Sequence, residues 1–122
     1  MKKKIIYSGI QPTGNLHIGN YLGAVKNWVT LQNSGEYECY FCIVDYHSLA
    51  GNISAKDRHD QIIRTAAELI AAGIDPEKSV FYVQSHVPEH TELAWVFNTV
   101  TPIAELERMT QFKDKSEHQA KN

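Results

Sequence analysis

A length of 122 residues, 43% hydrophobic and 21% charged, suffices for one soluble globular domain with a real core and excludes a disordered chain. A formal net charge of −2 excludes a global basic footprint for nucleic acid, so any RNA contact would be a local patch or lie outside these residues. No apolar run approaches the roughly 18 residues of a membrane span, and Lys2-Lys3-Lys4 leads into too few apolar residues for a signal peptide; the expected localisation is cytoplasmic.

In chain order, Lys4 to Ser8 (KIIYS) reads as a short apolar strand. Gly9 and Gly14 then flank Gln11-Pro12-Thr13, a loop free to take positive φ at either end and to bring its backbone close to a ligand. His17-Ile18-Gly19-Asn20 opens a helix reaching about Leu31, in which Ile18, Tyr21, Leu22, Val25, Trp28 and Val29 fall at helical spacing on one face. The first turn of such a helix points free N–H groups and the positive end of its dipole at the loop, which suits a phosphate. Taken by itself the glycine loop is equally an ordinary βα turn; joined to His17-Ile18-Gly19-Asn20 at this spacing it reads as a nucleotide site.

Gln32 to Glu38 is polar and predicts a surface turn, after which Cys39 to Val44 is a second strand, apolar enough to be covered on both faces in a parallel sheet. Asp45-Tyr46-His47 falls at its C-terminal end, where open α/β sheets place ligand contacts. Ser54-Ala55-Lys56-Asp57 is a capping pattern for a helix from Ala55 to Ala72, with Ile62, Ile63, Ala66, Leu69 and Ile70 in helical period and Gly73 and Pro76 as stop signals. Ser79 to Gln84 completes the order β-α-β-α-β, half of a doubly wound α/β fold with right-handed crossovers.

Pro88 suits the first turn of another helix, with Leu93, Val96, Phe97 and Val100 on its buried face until Pro102 ends it. Thr101 can cap a further helix, with Ile103, Leu106 and Met109 inward. From Lys113 to Asn122 the chain is charged and almost without apolar residues, which reads as a mobile or cut end. The expected organisation is one domain portion over residues 1–112 and a polar tail over 113–122 that marks a truncation point.

Two local patterns invite a metal or redox reading. Cys39-Tyr40-Phe41-Cys42 has CxxC spacing, but in a strand i and i+3 point to opposite faces, and a redox CxxC needs a helix N-terminus to lower the thiol pKa. Two buried, reduced structural cysteines are the preferred reading. His86-Val87-Pro88-Glu89-His90 fits H-x-x-E-H, but Pro88 starts a helix there, so the two histidines straddle its boundary and no metal is expected.

Gln11-Pro12-Thr13-Gly14 followed by His17-Ile18-Gly19-Asn20 resembles the class I aminoacyl-tRNA synthetase signature, usually His-Ile-Gly-His, in the tryptophan form ending in Asn. The longer string SGIQPTGNLHIGNYLGA (Ser8 to Ala24) is similar to the bacterial tryptophanyl-tRNA synthetase family, and ERMTQFKDKS (Glu107 to Ser116) is similar to a second stretch of it. The resemblance spans nearly all of these residues but only the first part of that family's chain. It implies a Rossmann-like catalytic domain, here its N-terminal portion, in a tryptophan–tRNA ligase that activates L-tryptophan with ATP and Mg²⁺ and transfers it to tRNA(Trp), as a homodimer.

By the same resemblance Gln11, Pro12 and Thr13 line the ATP phosphates, Gly19 leaves room for adenine, and His17 and Asn20 donate hydrogen bonds to phosphate and ribose. Lys115 becomes a cation on the pyrophosphate side, whereas a solvated charged tail is the alternative and is kept for Lys113. Tyr7, Gly9 and His47 would form part of the indole pocket, with a core aromatic and a surface histidine as open alternatives; the family's usual residue at Tyr7 is Phe. The Lys-Met-Ser-Lys-Ser signature and an anticodon-binding region are absent from these residues, so a fragment or excised domain is expected. Alternatives are a tyrosine-specific synthetase, another nucleotidyltransferase with the same signature, and a non-catalytic paralogue.

Overall fold

The computed structural model describes residues 2–51 and 53–119, with every side chain among them except those of residues 115 and 117–119. The chain divides into two compact units, residues 1–86 and 87–122. The first holds three parallel strands, β1 (Lys4–Ile10), β2 (Tyr37–Ile43) and β3 (Val80–Val83), in the order β1-β2-β3. Gly9 pairs with Cys42, and Cys42 with Tyr82, so the strands end nearly level at their carboxyl ends. The strand β1 runs two residues past the expected Ser8 because pairing continues to Ile10, whose carbonyl accepts the Val44 N–H at 2.9 Å.

Parallel strands cannot be joined by a hairpin, so each return is a helical crossover. The first comprises α1 (Ile18–Asn20), a π-helical turn (Tyr21–Val25) and α2 (Lys26–Ser34), one continuous helix that ends at Gly35 with φ 68°. A 3-10 segment, Asp45–Ala50, leads to the second crossover, α3 (Ala55–Ala71). As its sequence predicts, α3 starts on Ser54, whose Oγ accepts the Asp57 N–H at 3.1 Å and donates to Asp57 Oδ2 at 2.7 Å.

One face of the sheet makes the core. Cys39, Phe41 and Ile43 of β2 pack with Val25, Trp28, Leu69 and Ile74, and the Trp28 and Phe41 rings stack with centroids 5.0 Å apart. Both crossovers lie on this face, so both have the same hand. The other face of β2 is covered in part: Cys42 is buried there, whereas Tyr40 is half-buried and Tyr7 on β1 is exposed, so the expectation of cover on both faces holds for the C-terminal end of β2. Alternation along a strand places every second side chain on that face.

The apolar stripe of the first crossover helix is also corrected. Val25 and Trp28 are buried, whereas Ile18 and Leu22, expected on the same face, are 71% and 55% exposed. The π turn inserts one extra residue, which rotates α2 by about 100° relative to the register set by α1. The stripe is thereby cut in two.

The second unit contains α4 (Glu89–Val100), α5 (Ile103–Leu106) and α6 (Thr110–Gln119). Leu93, Val96, Phe97 and Val100, expected to be buried, are exposed, as are Ile103 and Met109. None of α4 or α5 is fully buried, because three short helices enclose too little volume for a core. Thr101 closes α4, its N–H bonding to Phe97 O at 2.9 Å, and does not cap α5, whose N-cap position is Pro102. Helix α6 passes through the stretch that composition marks as a polar tail; TQFKDKSEHQ contains no glycine or proline and is rich in good helix formers. The last three residues lie outside the described residues.

Buried Gln32 ties the crossovers together, donating through Nε2 to Gly73 O at 3.1 Å and accepting at Oε1 from Asp75 N at 2.9 Å and Ser79 Oγ at 3.0 Å. Replacing it by Leu removes the partner of Gly73 O and Asp75 N–H, while Ser79 Oγ keeps Asp75 O at 3.1 Å. Gln32→Leu is expected to cost about 1–3 kcal/mol, read as a lower urea midpoint at unchanged slope.

Cys39 and Cys42 are both buried and unbridged. Burial raises both thiol pKa values; for Cys42 it outweighs the lowering by hydrogen bonds with Tyr82 and Tyr7. A folded-state pKa above the unfolded value means stability that is full below the ordinary thiol value of 9.0 and is lost as pH rises through the raised one. Native labelling by a thiol reagent is expected to be about tenfold or more slower than in urea. Fast native labelling, or a Cys39–Cys42 disulfide by mass spectrometry, would contradict this.

Candidate functional site

The loop after β1 is built by a close approach and a tight turn. A Cβ on Gly9 would lie 2.9 Å from Val44 Cγ1 and 3.1 Å from Cys42 O, so only glycine lets β1 end against β2 in this way. Pro12 is fully buried, and the Thr13 N–H turns back to Gln11 O at 2.9 Å. Gly14 takes φ 69°, a left-handed conformation that favours glycine. The loop is then held from α3: Glu68 Oε2 accepts the Leu16 N–H at 2.9 Å, and Arg64 Nη1 donates to Asn15 Oδ1 at 3.0 Å.

His17 is the N-cap of the crossover helix. Its Nδ1 accepts the N–H groups of Gly19 at 3.1 Å and Asn20 at 3.3 Å, while Asn20 Oδ1 accepts the His17 N–H at 3.3 Å. This reciprocal cap corrects the expectation that the first turn offers free N–H groups: those of Gly19 and Asn20 are already bonded. The single lone pair of His17 Nδ1 is taken up, so the free ring nitrogen, Nε2, is left as a donor, while Asn20 turns its Oδ1 to the cap and keeps its Nδ2 amide as a donor. A Cβ on Gly19 would lie 3.0 Å from both Cε1 and Nδ1 of His17, so this glycine makes room for the histidine ring itself.

Between the loop and α3 lies a small open cleft of about 80 Å³, lined by Gln11, Thr13, His17 and Asn20 together with Thr65 and Glu68. Four of the residues singled out in the sequence thus meet. Pro12 and Gly19 support the wall without lining it.

Tyr7 and His47 stand elsewhere. Tyr7 lies on the sheet face left open, 60% exposed, and its hydroxyl is hydrogen-bonded with Tyr82 and Cys42. Burial first, and then these bonds, raise the Tyr82 pKa well above the ordinary phenol value. The His47 ring is exposed; its carbonyl accepts a long 3.4 Å bond from Gln11 Nε2 and so links the loop to the 3-10 segment. Buried Asp45, at the end of β2, accepts the Ser85 N–H at 3.0 Å and holds the end of β3. The Lys115 side chain lies outside the described residues.

Sequence reasoning missed Asn15, Arg64, Thr65 and Glu68. Their trace was present: Arg64, Thr65 and Glu68 share adjoining positions one turn apart on α3, and Thr65 is a buried polar residue beside an apolar stripe. No group of three His, Cys, Asp or Glu side chains that could hold a metal occurs among the described residues. His86 ends a 3-10 turn and His90 lies inside α4, with Pro88 at its N-cap.

A family profile described as "tRNA synthetases class I (W and Y)" matches residues 1–122. Tryptophan–tRNA ligase of Clostridium acetobutylicum is 54% identical over 114 residues, covering 93% of this chain and 33% of that protein. The Gloeobacter violaceus enzyme of the same name is 57% identical over 113 residues, with 93% and 33% covered. The crystal structure of Campylobacter jejuni tryptophanyl-tRNA synthetase complexed with ADP and tryptophan superposes with TM-score 0.86 at 38% identity, covering 93% of this chain and 35% of that one. The chain thus spans about a third of the length of the curated relatives it matches. Matched along its whole length, it belongs to the class I tRNA synthetases of the tryptophan and tyrosine group.

Proposed function

We propose that these residues are the N-terminal part of the catalytic domain of a tryptophan–tRNA ligase, over residues 1–112, with 113–122 continuing beyond it as a polar segment. The observation that carries this reading is that His17 and Asn20, whose cap bonds turn their acceptor atoms to the helix start, meet Gln11 and Thr13 in one cleft, in a chain more than half identical to enzymes of that name. In the first step the tryptophan carboxylate attacks the α-phosphorus of ATP, forming a new P–O bond while pyrophosphate leaves. Negative charge moves among phosphate oxygens with little proton transfer at the protein, so the site has to position and to stabilise. Fixed N–H donors suit that task, because they attract phosphate oxygens without adding charge.

In this reading Gln11, Pro12 and Thr13 line the phosphates, Gly19 passes adenine over the helix start, and His17 and Asn20 donate to phosphate and ribose. Lys115 supplies a cation on the pyrophosphate side. Tyr7, Gly9 and His47 contribute to the amino-acid pocket, and Mg²⁺ arrives with ATP as part of the substrate. A terminal ribose hydroxyl of tRNA(Trp) then takes the tryptophanyl group from the adenylate, the new ester forming as AMP leaves, in a cytoplasmic homodimer. No helix among the described residues is long and apolar enough to cross a membrane.

ATP–pyrophosphate exchange with each of the twenty amino acids, by the protein carrying these residues, is expected to be supported by tryptophan. Exchange with tyrosine in its place would establish the alternative specificity, and no exchange would favour a non-catalytic paralogue.

The cap allows a sharper test. Asn20→Asp keeps an Oδ1 acceptor for the His17 N–H and adds negative charge at a helix start, where it is stabilising by about 0.3–1 kcal/mol. It also replaces the donating amide by a carboxylate oxygen facing phosphate. Activation is therefore expected to fall by about 10² to 10³ at unchanged or raised thermal stability. Activation near the unaltered rate would remove Asn20 from the site.

A further inference from the structure

The glycine loop is tied to its surroundings chiefly by one turn of α3. Glu68 and Arg64 reach successive loop residues, Leu16 and Asn15, that lie 52 and 49 positions away in sequence, at 2.9 and 3.0 Å. N-terminal to this clamp stands Gly14, with open space around it; C-terminal to it stands His17, the cap residue. Leu16 itself packs against the core. The segment from Asn15 to Leu16 is thus the stem that sets where the His17 ring and, through the reciprocal cap, Asn20 are presented.

Glu68 also lines the cleft, which creates a conflict. A carboxylate beside the seat proposed for phosphates repels them, yet its charge makes the bond to the Leu16 N–H roughly twice as strong as a neutral one. A glutamate in this position is explained if holding the loop matters more than the repulsion costs.

We propose that Glu68, with Arg64 beside it, is a positioning residue for the nucleotide loop: it holds Leu16 on α3 so that the donors of His17 and Asn20 face the cleft shared with Gln11 and Thr13. This rests on the nucleotide-site reading and adds residues outside the signature to it. The role is separable from charge. Glu68→Gln keeps a carbonyl acceptor for the Leu16 N–H and removes the repulsion; Glu68→Ala removes both.

The test uses the full chain and two readouts, hydrogen exchange of the Leu16 amide by NMR and ATP binding by calorimetry. Glu68→Ala is expected to speed Leu16 exchange and to weaken ATP binding by about tenfold or more, with helix content unchanged. Glu68→Gln is expected to protect Leu16 and to bind ATP at least as tightly as the unaltered chain. Arg64→Met is expected to shift in the direction of Glu68→Ala by a smaller factor. Unchanged Leu16 exchange in Glu68→Ala, or equal loss of ATP binding in the Gln and Ala variants, would overturn the positioning role. Failure of the unaltered chain to bind ATP would overturn the nucleotide reading instead, with the Leu16 exchange result still deciding whether the clamp exists.

Discussion

Parallel pairing is the constraint that dictates the arrangement of residues 2–86. Because parallel neighbours run the same way, the chain must return over the sheet after each strand, and the returns here are helices stacked on one face. The carboxyl ends of the strands then fall together, and the loop after β1, the 3-10 segment after β2 and the turn after β3 become neighbours. Gln11 meets His47 O and Asp45 meets Ser85 N only because of this. Stacking of Trp28 on Phe41 and the bonds of Gln32 fix the helices to that frame, and the loop inherits its place from them.

Within the frame the chemistry of the cleft is set by how acceptors are used up. Histidine and asparagine each carry an acceptor and a donor, and in solvent neither has a preferred role. Reciprocal capping engages Nδ1 of His17 and Oδ1 of Asn20 at the helix start, so the helix gains its cap and the His17 Nε2 and Asn20 Nδ2 groups stay available as donors. A structural need and a binding preference are met by the same hydrogen bonds. Gly19 belongs to this device as well, since a side chain there would strike the His17 ring.

Two apolar surfaces stand apart from the core. The sheet face bearing Tyr7, Tyr40, Cys42 and Tyr82 has no helix of the first unit's described residues over it, and in the second unit the face of α4 bearing Leu93, Val96, Phe97 and Val100 is exposed. Each carries a pattern that normally accompanies burial. On the first, Cys42 is nonetheless buried, and burial raises its thiol pKa against the lowering by hydrogen bonds with Tyr82 and Tyr7.

What the sequence determined by itself were features that depend on near neighbours in the chain: the Ser54 cap and period of α3, the β-α-β-α-β order, the buried reduced cysteines and the signature from Gln11 to Asn20. Local sterics and capping decide these, and the residues responsible lie within a few positions of one another. Tertiary structure decided what depends on distant partners. A π turn split a stripe that reads as continuous from Ile18 to Val29, and an apolar α4 found too small a unit to bury it. Above all it brought Arg64, Thr65 and Glu68 to a loop some fifty residues away, an encounter that no spacing along the chain encodes because it exists only once α3 packs against the sheet.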